Sequence, residues 1–179
     1  MFSLSVDDTI ELRLLEPRHA AEVFSLVDRD RERLRQWFPW VDSTASVDDE
    51  ATFIRSALEQ FAQGRAIVSG IWERGKIVGT IGLDIHPGNV EAEVGYWLAA
   101  EAEGRGIVTS ATRALTRAAF DELGLHRIVI RCATHNKRSC AVPERLGFRF
   151  EGILRECERI GDRYFDHRLY SALATDEIS

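Results

Sequence analysis

The chain has 179 residues, 45% of them hydrophobic and 29% charged, with a formal net charge of −6. A chain of this length buries about 70% of its unfolded surface, so one domain over residues 1–179 holds a core without disulfide or metal staples. Disorder, collagen-like and low-complexity classes are excluded, and no apolar run approaches the roughly 18 residues of a membrane span.

Met1 to Asp8 carries neither a basic region nor a long apolar stretch, so a soluble, cytoplasmic protein with no membrane partner is expected. The first predicted strand is Ile10, Leu12 and Leu14 alternating with polar residues. Pro17 suits the first turn of a helix carrying Ala20, Ala21, Phe24 and Val27. Residues 31–45 read as a short helix and loop, and Ser46 with Asp49 forms a capping box for a helix through Ile54 and Phe61 that stops at Gly64. Strands Ala66 to Glu73 and Lys76 to His86 flank a tight turn at Arg74-Gly75, and a further strand spans Val90 to Ala99. A glycine-rich loop then feeds a long helix from Ile107 to Leu123. Arg127 to Ala133 is a strand, a short helix runs towards Leu146, and Phe148 to Ile160 pairs with Tyr164 to Leu173 around Gly161-Asp162. The order predicts an α/β fold with helices on both faces of a mixed sheet. Its ligand site belongs where the Val90–Ala99 strand feeds the next helix.

The excess of acidic residues is poor for gripping nucleic-acid phosphates, so no direct nucleic-acid binding is expected. Cys132, Cys140 and Cys157 form no CxxC pair and the histidines show no ligand spacing, so neither metal nor disulfide is expected and the thiols read as small buried hydrophobes. Gly70 to Lys76 has the spacing of a phosphate-binding loop, but Ile77 stands where a magnesium-binding hydroxyl belongs and the lysine opens a strand. Gly104-Arg105-Gly106 is the sharper signal. It follows a strand and opens a helix, so its backbone N–H groups can converge on an anion with the helix dipole behind them.

Glu101-Ala102-Glu103-Gly104-Arg105-Gly106-Ile107 after Gly95-Tyr96-Trp97-Leu98 resembles the acetyl-CoA pyrophosphate loop of the GNAT superfamily of N-acetyltransferases. Asn136-Lys137-Arg138-Ser139 followed by Leu146-Gly147-Phe148 matches the next block of that superfamily. Trp37-Phe38-Pro39-Trp40, Glu93-Val94-Gly95-Tyr96-Trp97 and Tyr164-Phe165-Asp166 are similar to the RimJ/RimL-type ribosomal-protein N-terminal acetyltransferases. The resemblance implies a single-domain GNAT-like fold, with a mostly antiparallel sheet of about seven strands that splays at the acetyl-CoA site. It implies acetyl transfer from acetyl-CoA to a primary amine, by direct attack in a ternary complex, and a possible homodimer. The implied acceptor is a protein N-terminus; a small amine such as a polyamine or aminoglycoside, or a silent acyl-CoA-binding module, are the alternatives.

The implied cofactor contacts are Tyr96, Trp97 and Leu98 on the strand, Gly104 to Thr109 (including Arg105, Gly106, Ile107 and Val108) at the loop and helix start, and Asn136, Lys137 and Arg138. Trp37, Phe38, Trp40, Tyr164 and Asp166 are implied to shape the acceptor site. Glu101 replaces the usual Gln or Arg at the head of the loop, leaving the phosphate to the backbone. Pro143 replaces the usual general-acid tyrosine, and the resemblance gives that role to Ser139. An amine must lose its proton before attack, and at neutral pH this costs roughly 3 kcal/mol less for an α-amine than for a lysine. Resemblance places the base at Glu158, with Glu93 as its rival.

Overall fold

The computed structural model describes residues 3–179. Its eight strands, β1 (Ser3–Ser5), β2 (Ile10–Leu14), β3 (Ala66–Glu73), β4 (Lys76–His86), β5 (Glu91–Leu98), β6 (Arg127–Ala133), β7 (Arg149–Ile160) and β8 (Arg163–Leu173), form one sheet in the order β1-β2-β3-β4-β5-β6-β8-β7. Five helices connect them: α1 (Ala20–Arg29), α2 (Arg31–Leu34), α3 (Val47–Ala62), α4 (Ile107–Asp121) and α5 (Lys137–Arg145). All neighbouring strands pair antiparallel except β5 and β6.

Strand alternation divides the core between two faces. Ile71, Val78 and Leu98 point towards α4 and α5, whose Ala111, Leu115 and Val142 complete one cluster. Trp72, Ile77 and Trp97, one residue along each strand, point the other way against Val23, Val27 and Ile54 of α1 and α3. The Arg74-Gly75 hairpin has both residues at positive φ, as a two-residue turn with the twist of its strands requires. The Gly70–Lys76 spacing therefore lies in a β-hairpin. Ser46 Oγ accepts from the Asp49 N–H at 3.2 Å, and Asp49 reaches back to the Ala45 N–H at 3.1 Å.

The structure corrects several boundaries. The sheet has eight strands rather than about seven, because Ser3–Ser5 adds a short polar edge too brief to show alternation. Pro17–His19 is a 3-10 turn that precedes α1. Val90 sits in the left-handed region (φ 53°), so β5 starts only at Glu91. The cysteines also divide: Cys132 and Cys140 are buried, but Cys157 is exposed on β7, where alternate positions of an edge strand face solvent.

The parallel β5–β6 ladder runs only from Glu91↔Arg127 to Glu93↔Val129. Arg127 ties this short junction together. It bonds Glu91 at 2.6 Å and, through two nitrogens at 2.7 Å, the Glu151 carboxylate on β7, which it holds down to about 2. Beyond Glu93 the two strands part, opening the sheet where the loop before α4 begins.

Candidate active site

The opening adjoins the segment Trp37–Trp40, whose Trp37 and Phe38 share a cavity with residues of β5 and β6. The Ala99 N–H bonds the Val78 carbonyl on β4. Alternation then turns the N–H groups of Tyr96 and Leu98 to the β6 side, where the register supplies no strand to meet them. Trp97 and Leu98 contribute only backbone to that gap, since both side chains are buried on opposite faces of the sheet.

Gly104 and Gly106 stand at φ 74° and 78°, which a β-carbon disfavours, and a β-carbon built on either would meet nothing within 4 Å. The glycines thus serve the turn, and the space over them is open. No side chain caps α4 and no acidic residue occupies its first turn, so the N–H groups of Ile107, Val108 and Thr109 are left for an anion. A pyrophosphate fits this cradle. The Ile107 side chain faces the core. Arg105 pairs with Glu73, and Arg138 pairs with Glu103 at 2.6 Å; Lys137 is exposed at the start of α5. The cradle therefore offers mainly backbone donors.

A cavity of about 200 Å³ beside the gap brings together Glu93, Tyr96, Asn136, Ser139, Glu158 and His167, with Trp37 and Phe38 on its rim. Asn136 caps α5, its Oδ1 accepting from the Ser139 N–H at 3.2 Å. Pro143 has no N–H, so the Ser139 carbonyl four residues earlier loses its helical donor. The Tyr96 hydroxyl donates to that carbonyl at 3.1 Å, and the Ser139 Oγ donates to the same hydroxyl at 3.3 Å. Burial raises the phenol pKa, which keeps this donor protonated. Tyr96→Phe is expected to leave the carbonyl unpaired and to lower stability by about 1–2 kcal/mol, measurable by urea unfolding.

The two candidate bases differ in their partners. Both Glu93 oxygens are engaged by Arg131, at 2.8 Å each, across the β5–β6 junction. Glu158 touches one group, His167, whose Nε2 lies 3.0 Å from Oε2 but off the line of a hydrogen bond. A bulge on β7 aims Glu158: residues 155–157 oppose Asp166 alone, Glu156 adopts φ 48°, and its N–H bonds Asp166 Oδ1 at 2.8 Å. Asp166 thus holds the strand that carries Glu158. Tyr164, at the hairpin end, is exposed beside Arg159. Neither lines this cavity.

Trp37, on the wall of the small cavity, packs on His135, which stacks on Phe165. Phe38 and Trp40 continue into a second cavity of about 630 Å³ bounded by α3 and strands β3 to β5. Phe38, Glu93, Gly95, Tyr96 and Arg131 line both, so the two spaces adjoin.

Residues 9–149 match the family described as the acetyltransferase (GNAT) domain, most of the chain. The chain belongs to the GNAT acetyltransferase family. It is 38% identical to the putative ribosomal N-acetyltransferase YdaF of Bacillus subtilis (strain 168), over 97% of this chain and 96% of that protein. Its fold superposes on a RimL ribosomal L7/L12 α-N-protein acetyltransferase in complex with coenzyme A, with TM-score 0.93, 26% identity and coverage of 96% and 98%. It also superposes on the microcin C7 self-immunity acetyltransferase MccE in complex with acetyl-CoA and AMP, with TM-score 0.90, 29% identity and 94% coverage of each chain.

Two anchors of this GNAT site have no counterpart in the motif reading. Arg33 bonds Glu103 at 2.5 Å and the Leu98 carbonyl at 2.7 Å, while Asp30 accepts from the Ala100 N–H at 2.6 Å. They fasten the anion loop to α1 and α2. Arg31 bonds the carbonyls of Val41 at 2.6 Å and Thr44 at 2.8 Å, pinning the aromatic segment. The only local trace of the first anchor is the helical spacing of Asp30 and Arg33, since its other partners lie about seventy residues away.

Proposed function

We propose that this GNAT N-acetyltransferase moves the acetyl group of acetyl-CoA to the N-terminal α-amine of a protein, a ribosomal protein in particular, within a ternary complex. The observation that carries the reading is the small cavity. Glu158, Ser139 and β5 backbone that β6 leaves unpaired line it together with Trp37 and Phe38, and the strand leads on to the anion cradle at the start of α4. The relatives supply the acceptor class: one is a putative ribosomal N-acetyltransferase and another a ribosomal α-N-protein acetyltransferase.

The cradle of Gly104 to Thr109 holds the CoA pyrophosphate, and the parted β5 edge lines the pantetheine and aims its thioester at the cavity. The β5 N–H groups stabilise the oxyanion that develops as the amine attacks. Glu158 takes the proton lost by the amine as the N–C bond forms. When the C–S bond breaks, Ser139 Oγ gives its proton to the thiolate and regains one from solvent, while the Tyr96 hydroxyl beside it stays protonated and holds the Ser139 carbonyl. Glu93 is the weaker choice of base because Arg131 occupies both its oxygens. Most of the rate comes from holding two substrates in line.

The test is CoA release with acetyl-CoA and a panel of free N-terminal Ala and Ser peptides, N-blocked lysine peptides, spermidine and an aminoglycoside. Turnover confined to the free N-termini is expected. Turnover on the polyamine or the drug alone would keep the chemistry and overturn the acceptor.

A further inference from the structure

The larger cavity holds a group the reaction does not use. Glu50, in the first turn of α3, lines it with only 4% of its surface exposed, and no hydrogen bond or ion pair engages its carboxylate among the described residues. Buried carboxylates are ordinarily paired, because leaving water without compensation is costly. Burial alone pushes its pKa up to about 7. The helix N-terminus does not answer for it, since Ser46 and Asp49 already cap that end.

The other charges on the wall sharpen the point. Four carboxylates (Asp49, Glu50, Asp84 and Glu93) face one guanidinium, Arg131. Arg131 is spent on Glu93 and Asp49 on the cap, which leaves Glu50 and Asp84 without partners. Between them stand Phe38, Trp40, Phe53 and Trp97, faces on which the methylene stem of a long cationic side chain packs while its charge meets a carboxylate. An anionic acceptor group has no free cation to meet here.

We propose that this chamber is a specificity subsite for a second positive charge on the acceptor. It takes a Lys or Arg side chain within the first few residues behind the reacting N-terminus, with Glu50 as its counter-ion. The proposal rests on the N-terminal acetyltransferase reading. The shared wall of the two cavities gives the geometry: an amine in the small cavity has its next residues at the mouth of the large one.

The experiment compares kcat/KM for matched free N-terminal peptides carrying either Lys or norleucine at position 2, 3 or 4, with wild type and with Glu50→Gln. Wild type is expected to prefer Lys by about tenfold or more at one of these positions, as a buried charged pair supports. Glu50→Gln is expected to bring that ratio close to one. Asp84→Asn, at the exposed side of the chamber, should reduce it partially and supplies the test if the Glu50 variant does not fold. Equal use of Lys and norleucine at every position by wild type overturns the subsite while the acceptor reading stands. A preference that survives in Glu50→Gln also overturns it. Failure of every peptide, with efficient turnover of a free diamine, overturns the acceptor reading itself.

Discussion

Glu158→Gln is expected to lower kcat by about 10²–10⁴-fold, the range for loss of a positioned base, while CoA affinity changes less than about twofold. The split follows from where the residue sits. Glu158 lines the small cavity with its carboxylate beside His167, whereas the anion cradle is built from residues 104–109, none of which line that cavity. The amide keeps the shape and cannot take a proton. Glu93→Gln is the control. It breaks the paired contact with Arg131 and is expected to cost about tenfold or less in kcat. The reverse pattern, with Glu93→Gln nearly dead and Glu158→Gln nearly normal, would move the base to β5.

Gly104→Val should weaken CoA binding by about 100-fold or more in titration calorimetry, with the thermal transition little changed. The residue sits at φ 74°, where a β-branched side chain is strained by roughly 1–2 kcal/mol or more. A β-carbon there meets nothing within 4 Å, so the strain is relieved by shifting the loop rather than by disturbing the core. The shifted loop no longer points its N–H groups at one spot. Unchanged affinity would mean that the phosphates are held elsewhere.

Much of this architecture is local and therefore legible in the chain. Ser46 with Asp49, Arg74-Gly75, and Gly104 with Gly106 each act through backbone geometry a few residues long, and each stands where its pattern says. The short β5–β6 ladder, implied by resemblance as a splay, is present as well. What escaped is long-range or irregular. The Arg33 and Asp30 clamp joins segments about seventy residues apart. The β7 bulge depends on Asp166 accepting from a backbone N–H on another strand, which no periodicity encodes. Glu50 looks in sequence like any first-turn carboxylate; only the packing of α3 over the sheet at β3 buries it.

The bulge that turns Glu158 inward has an outward consequence too. β7 is the last strand of the sheet, and it exposes Phe150 and Ile153. A straight, unpaired strand with such side chains is a template on which another chain can add. Its breaks in register, at Phe150/Gly152 and at Leu154/Glu158, leave no long regular run of free N–H and C=O groups. The opposite edge, β1, spans three residues among those described. The irregularity that turns Glu158 towards the small cavity on one side therefore guards the sheet against edge-to-edge aggregation on the other.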